Sequence, residues 1–85
     1  MVWDEQRAKQ LGDTLRRLRH TQQLSQEALA FRAGITKNQL QLLEAGRSSG
    51  RRDASGPSNP RTSTLSGIAD ALGIRASVLL SEAGL

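Results

Sequence analysis

Lys37, Asn38 and Gln41 are the side chains in this chain best suited to reading the hydrogen-bonding edge of another molecule. At helical spacing they share one polar, non-acidic face, while Leu40 and Leu43 fall on the opposite, inward face. A lysine ammonium can donate to O6 and N7 of guanine, and a carboxamide can pair with both the donor and the acceptor on the edge of adenine. Such chemistry requires a polar edge carried on a rod narrow enough for the DNA major groove. A helix held at a steep angle to its predecessor presents such an edge.

The surrounding residues build that rod. Ser25 can cap a first short helix through its hydroxyl, and Gly34 suits the left-handed residue that ends it and turns the chain. Ala28, Leu29 and Ala33 make an apolar stripe, and Ala30 is small enough for another helix to cross closely. Thr36 followed by Gln39 is a capping-box pattern, so the next helix begins at once. Before this pair, Ala8, Leu11, Leu15 and Leu18 predict a helix from about Asp4 to His20. Gly12 weakens it by up to about 1 kcal/mol relative to alanine, which points to a packing reason. A fourth helix is expected from Thr62–Thr64 to Leu72, with Leu65, Ile68, Ala69 and Leu72 inward and Gly73 as terminator. A fifth is expected from Ala76 to Ser81 or Glu82, burying Val78 or Leu79. No segment alternates with period two, so no sheet is expected.

The run Ser25-Gln26-x-x-Leu29-Ala30-x-x-x-Gly34-Ile35-Thr36, leading into Leu40-x-x-Leu43-Glu44-x-Gly46, resembles the helix-turn-helix of phage repressor, Cro and XRE-type bacterial regulators. Leu11-Gly12-x-x-Leu15-Arg16-Arg17-Leu18-Arg19 is similar to that family's first helix. Asn59-Pro60 with Leu65-x-x-Ile68-Ala69-x-Ala71-Leu72-Gly73-Ile74 is similar to its fourth helix and the turn after it. The likeness covers roughly residues 11 to 80 and implies an all-α, five-helix, lambda-repressor-like DNA-binding domain with its helix-turn-helix at helices 2 and 3. It further implies that Lys37, Asn38, Gln41 and Leu42 face base edges. A polar residue is common at the position of Leu42; here the leucine would either pack on a thymine methyl or lie partly buried against helix 2 or a second subunit. Gln26, on the first turn of helix 2, takes the family's phosphate-contacting role, Gln39 stands at the margin facing the DNA backbone, and Arg47 lies along the strand. Arg19 and Glu44 match a family ion pair that fixes helix 3 against helix 1. Arg16 and Arg17 are expected to be solvated away from DNA.

Composition narrows the alternatives. Twelve basic against eight acidic residues leave a formal charge of +4. Residues 36–61 hold Lys37, Arg47, Arg51, Arg52 and Arg61 against Glu44 and Asp53, whereas residues 62–85 hold Arg75 against Asp70 and Glu82. The excess positive charge therefore sits on helix 3 and the loop after it, where phosphate would be met. Without cysteine there is no disulfide framework and no thiolate zinc site. His20 has neither a cysteine nor an acidic cluster beside it, and no nucleophile elbow or phosphate-binding glycine loop occurs. No enzyme activity, metal, cofactor or small-molecule effector is expected. Neither a membrane span nor a signal peptide is readable, so the expected location is the cytoplasm.

Residues 1–85 read as one domain, with residues 1–10 as an N-terminal arm running into helix 1 and residues 47–61 as a long basic loop. Within it, residues 48–58 are rich in Ser, Gly and Arg. Either Arg51 and Arg52 grip DNA phosphates there, or the loop is a tolerated insertion. A two-fold homodimer on double-stranded DNA is expected, because one small domain covers too little DNA for high specificity. Its expected contacts are helix 5 and the tail through Val78, Leu79, Leu80 and Leu85, with Trp3 adding from the arm. Repression is the expected output. The rival readings are an antitoxin that also holds a toxin, and a protein-interaction module using helix 5 and an exposed Phe31.

Overall fold

Polar side chains cap the starts of the first three helices in the computed structural model, which describes residues 3–47 and 57–85. Helix α1 spans Glu5–Thr21, α2 Gln26–Ala33, α3 Lys37–Glu44, α4 Thr62–Ala71 and α5 Ala76–Glu82. Asp4 precedes α1 as its cap, and its carboxylate accepts from the Arg7 backbone N–H at 2.9 Å. The Ser25 hydroxyl accepts from the Ala28 N–H at 3.0 Å, satisfying a donor that no helical carbonyl can reach. Gly34 adopts φ +75°, open to glycine at little cost, and ends α2. Two residues later Thr36 and Gln39 exchange both capping-box hydrogen bonds, at 2.8 and 3.0 Å.

Leu11 and Leu15 of α1, Leu29 of α2, Leu40 of α3, Ile68 of α4 and Leu79 of α5 are fully buried in one core. Each helix contributes its apolar stripe to that centre, so no helix is stable by itself in the arrangement seen. The expected stripe of α2 is rotated slightly. Leu29 and Ala30 are buried, whereas Ala28 and Ala33 are half-buried. On α5 Leu79 takes the buried place and Val78 stays 42% exposed. Ile68, Ala69 and Leu72 are buried as expected and Leu65 is half-buried. Among the described residues no strand forms, and Arg47 and Pro57 make an isolated bridge. No single helix among them is long and apolar enough to cross a membrane.

Trp3 corrects an expectation. Its ring is half-buried against the chain's own core, and its indole N–H donates to the Ser58 carbonyl, so it is engaged within the chain rather than held out as an arm. Ser58 N–H in turn donates to the Gly46 carbonyl at 3.1 Å. The segments entering and leaving residues 48–56 are thereby tied together at their base. The tail is also engaged: Leu85 packs on the core, and Ala83 is buried.

Gly12 has the packing reason its place in a helix demands. A Cβ there would lie 2.5 Å from the Leu43 carbonyl oxygen and 2.6 Å from that of Glu44, so α3 rests its last turn directly on the backbone of α1. Helix propensity alone says that Gly12→Ala stabilises by up to about 1 kcal/mol. The clash is with backbone and cannot be relieved by a side-chain rotation, so the expected outcome is a net loss of about 1–3 kcal/mol. Urea unfolding of the variant checks this, and a stabilised Gly12→Ala protein would contradict the close approach.

Candidate nucleic-acid interface

Helix α3 is short, and its two faces are cleanly divided. Leu40, Leu43 and Glu44 are buried, while Lys37, Asn38, Gln39 and Gln41 are exposed and Leu42 is half-buried. The side chains of Lys37, Asn38 and Gln41 make none of the hydrogen bonds or ion pairs within the described residues. Gln39 differs: its amide carbonyl accepts from the Thr36 N–H, so its amide N–H groups alone are left to face outward. A donor of this kind suits a phosphate oxygen and cannot read a base edge in both directions.

The other end of α3 is fixed by an ion pair. Glu44 has a side chain only 1% exposed, and Arg19 one 10% exposed. Arg19 Nε donates to Glu44 Oε2 at 2.7 Å and Nη2 to Oε1 at 3.0 Å, a fork-on-fork geometry that sets both distance and angle. Arg19 Nη1 also donates to the Leu24 carbonyl at 3.0 Å, which ties in the approach to α2. The hydrogen bonds that Arg19 donates to Glu44 raise the guanidinium pKa above its ordinary value, against the opposing effect of burial, and the charge of Glu44 adds to the rise.

Gln26, at the first position of α2, donates from Nε2 to Glu44 Oε1 at 3.1 Å. The glutamine expected on a phosphate is thus already oriented by the buried carboxylate. Arg16 and Arg17 depart from simple solvation. Arg16 Nη2 donates to the Glu44 backbone carbonyl at 3.2 Å, with its Nε 3.8 Å from Glu44 Oε1. Arg17 pairs with Glu82 of α5 at 3.2 Å on the surface. The sequence carried a signal for Arg16: it lies three residues before Arg19, so both face the same side of α1 on adjacent turns.

Beside α3 a groove runs toward the start of α4, lined among others by Gln39, Leu42, Arg47, Asn59, Arg61 and Thr64. Arg47 and Arg61 line it and are exposed, and Arg61, in the cap position before α4, makes no side-chain capping bond. The first N–H groups of a helix left uncapped favour an anion. The sequence brings in Asn59 only through the family resemblance and Arg61 only through the charge of the loop, and gives neither a place at the interface. Ser58 Oγ is buried here with no hydrogen-bond partner among the described residues. Arg51 and Arg52 lie outside the described residues. Phe31, expected on the surface, is 86% exposed.

Residues 10–80 match a family described as a helix-turn-helix domain. Among solved structures, the restriction-modification controller protein C.AhdI from Aeromonas hydrophila aligns with a TM-score of 0.70 at 29% identity, covering 85% of this chain and 94% of that one. The clp gene regulator ClgR from Corynebacterium glutamicum aligns with a TM-score of 0.75 at 23% identity, covering 92% of this chain and 72% of that one. At that identity ClgR speaks for the fold alone. No curated protein matches the chain by sequence.

The ion pair yields a direct test. Removing either partner leaves the other as a buried, uncompensated charge, so Arg19→Ala and Glu44→Ala are each expected to cost about 3–5 kcal/mol of stability. The double variant should cost clearly less than the two losses added, because the pair is removed once. Denaturant melts of all four proteins give the coupling, and strict additivity would show that the pair does not hold α3.

Proposed function

The chain belongs to the helix-turn-helix family of DNA-binding transcription regulators, and from that premise we propose that it is a sequence-specific repressor that binds duplex DNA as a two-fold dimer. Its work is binding, not catalysis. The observation that carries the sequence-reading role is the exposed, uncommitted edge of Lys37, Asn38 and Gln41 on a helix whose ends are both fixed, by the Thr36 capping box and by Arg19–Glu44. A rigid helix with free donors and acceptors loses little entropy when it meets a base edge. Leu42, half-buried beside this edge, adds an apolar contact for a thymine methyl.

Around this centre, Gln26, Gln39 and Arg47 hold the DNA backbone, joined by Arg61 at the uncapped start of α4. Arg51 and Arg52 extend the same basic stretch on sequence grounds. The dimer contact supported best is α5 with the tail that follows it, where Val78 is 42% exposed and Leu80 and Leu85 are half-buried. A two-fold pair would place two copies of α3 in successive major grooves, roughly 34 Å apart. Repression then follows from occupancy of the site. A regulator of this kind acts where genomic DNA is, inside the cell.

Binding sequences selected from a random duplex pool provide the probe. Lys37→Ala or Asn38→Ala should weaken binding to the selected site by about 1–3 kcal/mol and relax the preference at one base pair per half-site. Melting should barely change, because neither side chain is engaged within the fold. Unchanged affinity and unchanged base preference in both variants would overturn the assignment of α3 as the reading helix.

A further inference from the structure

Glu44 has more donors around it than its charge requires. Arg19 alone neutralises it, with a hydrogen bond to each carboxylate oxygen. Gln26 and Arg16 are then additional, and the cluster of Glu44, Arg19 and Arg16 carries an excess of one positive charge. That excess faces solvent: the Arg16 side chain is 49% exposed, against 1% for Glu44. At 3.8 Å its Nε is outside hydrogen-bonding distance of the carboxylate, and its one hydrogen bond here goes to a backbone carbonyl. A guanidinium carries five N–H donors, so most of those on Arg16 are uncommitted.

The glutamine is constrained in a complementary way. A carboxylate accepts and cannot donate, so Gln26 must turn its NH2 group, not its carbonyl, toward Glu44. One N–H is taken by Glu44 Oε1, and the second remains available. Flipping the amide would set oxygen against oxygen, which keeps the carbonyl from taking that place. Besides Arg19, two donor-bearing groups, one charged and one neutral, thus lie close to the same oxygen atom, Glu44 Oε1: Gln26 Nε2 at 3.1 Å and Arg16 Nε at 3.8 Å.

We propose that Arg16 and Gln26 together hold one DNA backbone phosphate, with buried Glu44 as the positioning residue that aims both. The inference rests on the DNA-binding reading above and adds Arg16 to the interface, together with a second task for Glu44. A phosphate has several acceptor oxygens and a negative charge, which match a donor-only surface with excess positive charge. Because this clamp touches the backbone and no base, it sets how deeply α3 sits without adding sequence preference.

The experiment measures affinity of the full-length protein across a salt series, on the selected duplex and on an unrelated duplex of equal length. Arg16→Ala should weaken binding to both duplexes by a similar factor, roughly tenfold, and lower the slope of log affinity against log salt by about 0.9 per bound subunit. Arg16→Lys should keep the slope and recover part of the affinity, because it returns the charge without the planar fork. Gln26→Ala should weaken both complexes with the slope unchanged, since a neutral donor displaces no counterion. The double variant should lose less than the product of the two single effects. An unchanged slope in Arg16→Ala with a lowered melting temperature would mean that Arg16 only supports Glu44, and the clamp would be wrong. Independent effects of Arg16 and Gln26 would equally overturn a shared phosphate. If the unaltered protein binds neither duplex at any salt, the DNA-binding reading itself fails, a result separable from the loss of the clamp alone.

Discussion

A buried carboxylate at the end of α3 is the constraint on which the remainder of the structure depends. Glu44 sits where α3 presses its last turn against Gly12 of α1, and its charge in that place is tolerable only because Arg19 meets it with two hydrogen bonds. A hydrophobic pair of equal volume could hold the two helices together as well or better. It could not, however, fix their rotation. The forked contact is directional, and it reaches α1, α3 and the Leu24 carbonyl before α2 through one guanidinium. The angle between α2 and α3, on which entry into a groove depends, is set by these bonds together with the tight turn at Gly34.

Fixing a helix this closely has a consequence for the glycines. α1 and α3 approach at Gly12, and α4 meets α2 at Gly67, where a Cβ would lie 2.7 Å from the Ala33 carbonyl oxygen. A domain of this length buries limited apolar surface, and its core is built from leucines, alanines and one isoleucine that is fully buried, Ile68. Close backbone approach raises packing density where large side chains are few. Each glycine weakens its own helix and lets two helices share contacts that a larger residue would prevent.

The local signals were readable because they are local. Ser25, Gly34 and the Thr36–Gln39 box act within a few residues, and each helix of the structure starts and ends within a residue or two of where its caps and stripes place it. The Arg19–Glu44 pair joins residues far apart in sequence, and its expectation came from resemblance to a family, not from spacing. What escaped the sequence is of a different kind. Nothing in the pattern shows that Trp3 reaches Ser58, since a tryptophan near a terminus is equally suited to an arm. Nor does it show that Gln26 and Arg16 converge on one oxygen, because that depends on where α1, α2 and α3 cross. The groove shared by Arg47 and Arg61 goes with a bridge between Arg47 and Pro57, a pairing across ten positions that no local pattern signals.

The division of polar side chains along α3 separates what holds the helix from what it can recognise. Gln39 is part of the cap through its carbonyl, and Glu44 is part of the core, so substitutions at either change stability along with any contact to DNA. Lys37, Asn38 and Gln41 have no such second duty and stand exposed on the same short helix. Their identities can vary with little effect on folding, since surface substitutions away from special features are usually near neutral. Apart from Gln39, the side chains proposed for the DNA backbone lie on other elements: Gln26 opens α2, Arg16 lies on α1, and Arg47 and Arg61 flank the loop. On the proposed assignment, a scaffold arranged in this way keeps one docking geometry on DNA while its base preference changes with a few exposed side chains of α3.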